Sequence, residues 1–287
     1  MDTISQIPNE TMTSKYIIYK GTGGLVHMLC GLEFAINIAI NENRILIIDT
    51  INSNCFKANI SDYFILNEKI IIQENYNDII NDEYKGLKME IIKNSGAGHT
   101  MNGYVICNLI NVSKISLDSE EKILIYAGVG KQRPPSLKLK DEIISDIIHN
   151  YKGDNDINYI AVHYRNTDLK NNIDNFINKI LSSNYGDKVN SIFIATDDFN
   201  AFDIFKSRLP EYNVFRVVFP MNFNGNNLHY NVKNKKELVM NTLYDIYMIL
   251  NSKYFIPSLN SGVSMWCIDM IKNNDNIFNL KTHCEII

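Results

Sequence analysis

The run Tyr159-Ile160-Ala161-Val162-His163-Tyr164-Arg165-Asn166-Thr167-Asp168 carries an apolar strand straight into one imidazole, one guanidinium and one carboxylate. That junction suits anion recognition. Ligands of open α/β sheets bind beyond the carboxyl ends of the strands, and the planar fork of Arg165 can grip a phosphate with two parallel charged hydrogen bonds. An ion pair of Arg165 with Asp168 beside a core His163 would use the same residues without a ligand. Ser258-Leu259-Asn260-Ser261-Gly262-Val263-Ser264 offers a second anion site, because helix-start amides and hydroxyls attract negative charge; plain N-capping by Asn260 or Ser261 is the alternative. Thr196-Asp197-Asp198 follows another strand, where an Asp either meets a ligand or caps a helix. Asp245 lies in the apolar helical run Leu243-Tyr244-Asp245-Ile246-Tyr247 and needs a partner or an exposed face.

Nearer the start, Gly21-Thr22-Gly23-Gly24 lets a ligand approach the backbone and presents helix-start amides. The turn lacks the dinucleotide pattern G-x-G-x-x-G, since Val26 stands where the third glycine belongs, and this argues against a nicotinamide cofactor. His27, just inside the following helix, faces either a cleft or solvent. Asp154-Asn155-Asp156 mimics the D-x-D that holds a divalent cation in some sugar transferases, yet it precedes its strand instead of following it. No His/Cys spacing suggests zinc and no Ser-His-Asp arrangement stands out, so no metal site is expected.

To act together, these residues must be brought to the ends of parallel strands. Tyr16 to Tyr19 reads as a strand, Leu25 to Asn41 as a helix with apolar residues at helical spacing, and Arg44 to Asp49 as a buried strand, which together form a βαβ unit. Ile70 to Gln73, Tyr104 to Leu109 and Lys122 to Ala127 read as further strands. Lys131-Gln132-Arg133-Pro134-Pro135-Ser136 is the expected domain boundary, because two prolines interrupt helix and sheet alike. Beyond it the pattern predicts helix Lys140 to His149, strand Tyr159 to Tyr164, helix Ile173 to Ser182 and strand Ser191 to Ala195. Helix Phe199 to Arg208, strand Val214 to Phe219, helix Lys235 to Leu250, strand Lys253 to Ile256 and a helix from about Ser261 follow.

The chain has 287 residues, enough for two modest domains. Its 28 Lys and Arg against 32 Asp and Glu give a net charge of -4, which argues against a nucleic-acid partner and requires local cations for any anionic ligand. Met1 to Ser14 has no signal-peptide pattern and no run is long enough to span a bilayer, so a soluble cytoplasmic enzyme is expected. Five scattered cysteines without paired spacing fit reduced thiols.

Taken in order, four segments resemble the GT-B fucosyltransferase superfamily, which contains the nodulation, α-1,6-, α-1,2- and protein-O-fucosyltransferases. Gly23-Gly24-Leu25 with its helix resembles the N-terminal glycine motif, and His163-Tyr164-Arg165-Asn166-Thr167-Asp168 resembles the H-x-R-R-x-D signature. Phe193-Ile194-Ala195-Thr196-Asp197-Asp198 resembles the second motif, and Asp245 through Ser261 to Ser264 the third. Asn166 departs from the pattern where many members carry a second Arg, which removes one cation. The resemblance implies an α/β, GT-B-like fold of two facing Rossmann-like domains with largely parallel sheets. Residues 1–135 would form the acceptor side and 136–287 the donor side, with the extreme C-terminus able to pack back on the first domain.

The resemblance further implies an inverting, metal-independent transferase with GDP-fucose as donor substrate and no cofactor. Arg165, Asn260 and Ser261 would stabilise the departing diphosphate, and His163 would position the diphosphate or the turn. Gly23, Gly24, Asp168, Asp197, Asp198, Asp245 and Ser264 would hold the nucleotide or shape its pocket. His27 and Glu33 are the candidates for general base, His27 being preferred. The acceptor would be a glycan, a lipid-linked sugar or a protein. Another GDP-sugar as donor, or a catalytically silent nucleotide-sugar-binding protein, are the competing readings.

Overall fold

A computed structural model of the chain describes residues 16–20, 24–50, 58–65, 89–91, 99–101, 104–106, 123–126, 137–150, 158–166, 170–182, 189–217, 234–278 and 282–287. The first half contains β1 (Tyr16–Lys20), α1 (Leu25–Asn41), β2 (Ile45–Asp49), a 3-10 turn (Ile60–Asp62), β3 (Phe64–Ile65), β4 (Met89–Ile91), β5 (His99–Met101), β6 (Tyr104–Ile106) and β7 (Ile123–Tyr126). Next come β8 (Lys138–Leu139), α2 (Asp141–Asn150), β9 (Tyr159–Tyr164), α3 (Ile173–Ser182), β10 (Ser191–Thr196), α4 (Ala201–Arg208) and β11 (Asn213–Phe215). The chain closes with α5 (Lys235–Asn251), β12 (Tyr254–Ile256), α6 (Gly262–Asn273) and β13 (Glu285–Ile286).

Two parallel sheets organise these elements. The first has the order β2-β1-β7-β4 and the second β11-β10-β9-β12-β13. Counted along the chain from β9, the second sheet runs third, second, first, fourth, fifth. Its progression reverses between β9 and β12, and that reversal is where a doubly wound sheet opens a ligand crevice. β3 and β8 form a small antiparallel pair, as do β5 and β6.

Every residue of β9 is buried, because helices cover both faces of its sheet. Alternation splits the strand between two cores. Ile160, Val162 and Tyr164 pack with Phe176, Ile177 and Ile180 of α3 and Phe205 of α4, whereas Tyr159 and Ala161 join Leu243 and Ile246 of α5 and Trp266 of α6. That parity places the next odd residues, His163 and Arg165, on the α5/α6 side. The same core continues into the first half through Ile17, Leu29, Leu32 and Leu46, so α1 and α6 share one apolar cluster. Each fully buried large side chain there contributes about 1.5–3 kcal/mol.

Most elements predicted from the sequence appear within a residue or two of their expected bounds. The helix expected from Phe199 starts at Ala201, because Asp198 accepts the Asn200 amide at 2.9 Å and the Ala201 amide reaches the Asp198 carbonyl at 3.3 Å. The strand expected over Val214 to Phe219 ends at Phe215, where Arg216 leaves the sheet and stacks 4.5 Å over the Phe202 ring. The extreme C-terminus adds β13 to the open edge of β12, with Cys284 buried against Ser252. The strand expected at Ile70 to Gln73 lies outside the described residues, as do Asn94 to Gly98. Among the described residues, no helix is long and apolar enough to cross a membrane.

Candidate functional site

At the reversal between β9 and β12, one serine ties three elements together. Ser258, two residues past β12, is buried; its Oγ donates to the His163 carbonyl at 2.8 Å and accepts the Arg165 amide at 3.1 Å. The Ser258 amide donates to Ser264 Oγ at 3.0 Å, and its carbonyl accepts the Ser261 amide at 2.9 Å. The end of β9, the end of β12 and the start of α6 are thereby fixed relative to one another.

His163 Nδ1 lies 2.6 Å from Ser264 Oγ in the same buried layer. Burial first, and then the neighbouring Arg165 charge, push the imidazole down to about 3, so the ring is neutral at ordinary pH. Ser264 accepts from Ser258, so its own hydroxyl hydrogen suits Nδ1 and leaves the ring proton on Nε2. His163 and Ser264 therefore hold the turn and add no positive charge.

Arg165 sits at the crevice with its side chain about a fifth exposed, and its Nε stands 3.6 Å from Asp197 Oδ2. Asp197 Oδ1 accepts the Asn166 amide at 2.7 Å, and Asp198 Oδ2 accepts Asn166 Nδ2 at 2.7 Å. Asn171 Nδ2 donates to the Arg165 carbonyl at 2.5 Å, and Lys170 Nζ donates to the Asn166 carbonyl at 2.9 Å. Both carboxylates at the β10 end are thus engaged with the loop that carries Arg165. The Asn that departs from the family signature is the residue they hold.

The start of α6 has a different character. Ser261 is its N-cap residue and is 2% exposed, yet its side chain makes no capping bond and its Oγ has no hydrogen-bond partner. A buried hydroxyl without a partner is costly, and at a helix start it points to an anion as the missing acceptor of its hydrogen. Asn260 beside it is exposed and α6 has no acid in its first turn. From the first half, the exposed His27 reaches this place: a Cβ added to Gly262 would lie 3.2 Å from His27 Nε2.

Farther along the crevice, Asp245 on α5 has its carboxyl pushed up to about 8. Burial is the main cause, opposed by Arg216 and reinforced by Asp197. Burial lowers Arg216 in turn, against the attraction of Asp203 and Asp245. The three β-strand ends and α5 therefore bring Arg165, Asp197, Asp245 and Arg216 into one electrostatic neighbourhood. The sequence pattern gives Arg216 no role, because the expected strand Val214 to Phe219 encloses it, and it marks Ser258 only as the first residue of the Ser258 to Ser264 turn.

Of the remaining candidates, Gly24 is the N-cap of α1 and also lacks a side-chain cap. Glu33, proposed as an alternative base on the acceptor side, is 5% exposed within the α1 core, because it lies on the helix face that packs inward. Gly23, Asp168 and the Asp154-Asn155-Asp156 segment lie outside the described residues. No group of three or more His, Cys, Asp or Glu side chains that could hold a metal ion occurs among the described residues.

No protein-family model matches the sequence, and no curated protein matches it. Solved structures do. Fucosyltransferase NodZ from Bradyrhizobium superposes with a TM-score of 0.57 at 16% identity, over 89% of this chain and 91% of that one. NodZ alpha-1,6-fucosyltransferase co-crystallized with GDP gives 0.57 at 16%, over 89% and 92%. POFUT1 in complex with GDP gives 0.59 at 11%, over 96% and 99%.

Proposed function

We propose that this chain, which has the fold of the GT-B fucosyltransferases, is a glycosyltransferase that moves fucose from GDP-fucose to a hydroxyl of a glycan, lipid-linked sugar or protein. The observation that carries the reading is the buried, unpartnered Ser261 Oγ at the start of α6, set at the sheet reversal and tied through Ser258 to the backbone of Arg165. NodZ and POFUT1 have been crystallised with GDP and with GDP-fucose, which directs the choice of donor.

In this reading the bond between the anomeric carbon and the diphosphate oxygen breaks, and its electron pair goes to the diphosphate. Arg165, Ser261 and the α6 amides meet that growing charge with groups already in place, which is how a fixed site lowers such a barrier. The acceptor oxygen attacks from the face opposite the diphosphate, with inversion, and its proton passes to a base or water on the acceptor side. Asp245 and Arg216 line the nucleotide end, and no bound metal is needed because Arg165 and the helix start supply the positive charge.

Calorimetric titration with GDP, GDP-fucose, GDP-mannose and UDP-glucose, with and without EDTA, tests this. GDP-selective binding that survives chelation is expected. A preference for UDP, or a metal requirement, overturns the reading and returns Asp154 and Asp156 to the site. A silent nucleotide-sugar-binding protein is the second reading, favoured by Asn166 in place of a second Arg. Release of free fucose from GDP-fucose separates the two, since a transferase leaks sugar to water and a binding module does not.

A further inference from the structure

The two halves each present a helix start to the same point. α1 begins at Leu25 and α6 at Gly262, and His27 in the first turn of α1 lies against Gly262, with Nε2, Cδ2 and Cε1 at 3.2, 3.5 and 3.9 Å from where a Cβ would stand. Neither first turn contains an acid and neither helix has a side-chain cap. The positive ends of two helix dipoles therefore converge with an imidazole between them, beside the buried hydroxyl of Ser261 that lacks a partner. Gly262 leaves the space that the ring occupies.

We infer that His27 is a diphosphate-binding residue, which closes from the first half on the same anion that Ser261 and the α6 amides hold from the second. The inference rests on reading the crevice as a nucleoside diphosphate site. It also removes His27 from the role of acceptor base. In an inverting transfer the base acts on the face opposite the leaving group, whereas His27 lies against the helix start that receives the leaving group. The side chain donates one hydrogen bond to a diphosphate oxygen and undergoes no net proton transfer.

Calorimetric titration of wild type, His27→Ala, His27→Gln and His27→Phe with GDP, GMP and inorganic pyrophosphate tests the assignment. His27→Ala and His27→Phe should weaken GDP and pyrophosphate about 10-fold, the scale of one charged hydrogen bond, and leave GMP within about 2-fold. His27→Gln, which keeps a donor, should recover part of the loss. Equal losses for GDP and GMP, or unchanged GDP binding, overturn the inference, and thermal melts identify any variant that has lost its fold. Wild type that binds pyrophosphate through His27 but prefers UDP to GDP sinks the guanosine reading and spares His27. Wild type that binds neither a nucleoside diphosphate nor pyrophosphate sinks both.

Discussion

Arg165 and Asp245 differ in what they ask of the fold. The planar fork of Arg165 can meet two oxygens at once, so Arg165→Ala should lower turnover at least ~100-fold with the melting temperature little changed. Steady-state donor turnover together with a thermal melt checks this, and wild-type activity in the variant would remove Arg165 from the site. Asp245 is destabilising where it stands. Its folded value of about 8 exceeds the ordinary 3.8, so between roughly pH 4 and pH 8 the folded chain binds the extra proton and stability falls as pH rises through that window. Asp245→Asn should therefore raise the melting temperature, by ~3 °C at pH 8 and by less at pH 5, while weakening GDP binding. Melts at the two pH values, each paired with a GDP titration, test the claim; a variant that melts lower at pH 8 would contradict it.

Among the elements, the joint at Ser258 carries the geometry. Removing its hydroxyl strands the Arg165 amide and the His163 carbonyl in a buried place, so Ser258→Ala should cost about 2 kcal/mol in urea unfolding and displace Arg165 as well. An unchanged urea midpoint would show that water or neighbouring groups replace it. The sequence made the strands legible because Tyr159 to Val162 and Ile192 to Ala195 are continuous apolar runs, the pattern of strands covered on both faces. It made the site legible only in part. Arg165, Asp197 and Ser261 stand at the strand and helix ends where the sequence pattern puts them and Asp245 lies within α5, but Ser258 reads as an ordinary turn residue after Pro257. Its partners stand 93 and 95 residues away. An apolar run hid Arg216, and distance along the chain hid the meeting of His27 with Gly262.

At the scale of the molecule, the apolar cluster that runs from β1 and α1 through α5 and α6 joins the two sheets. Two halves with separate cores would unfold in two steps, whereas a shared core predicts one cooperative transition. The single tryptophan, Trp266, is 3% exposed in that cluster and reports on it directly. Its emission and the far-UV circular dichroism should follow the same urea curve; curves with different midpoints would show that the halves melt independently.

The parity of β9 sets a limit on how such a chain can change. A single residue inserted or deleted within Tyr159 to Tyr164 would turn the imidazole and guanidinium over to the α3/α4 layer and bring core side chains to the crevice in their place. Substitutions leave that phase untouched. Drift in this strand can therefore rewrite almost every letter while its length stays fixed, and additions to the chain must collect in the connections between elements.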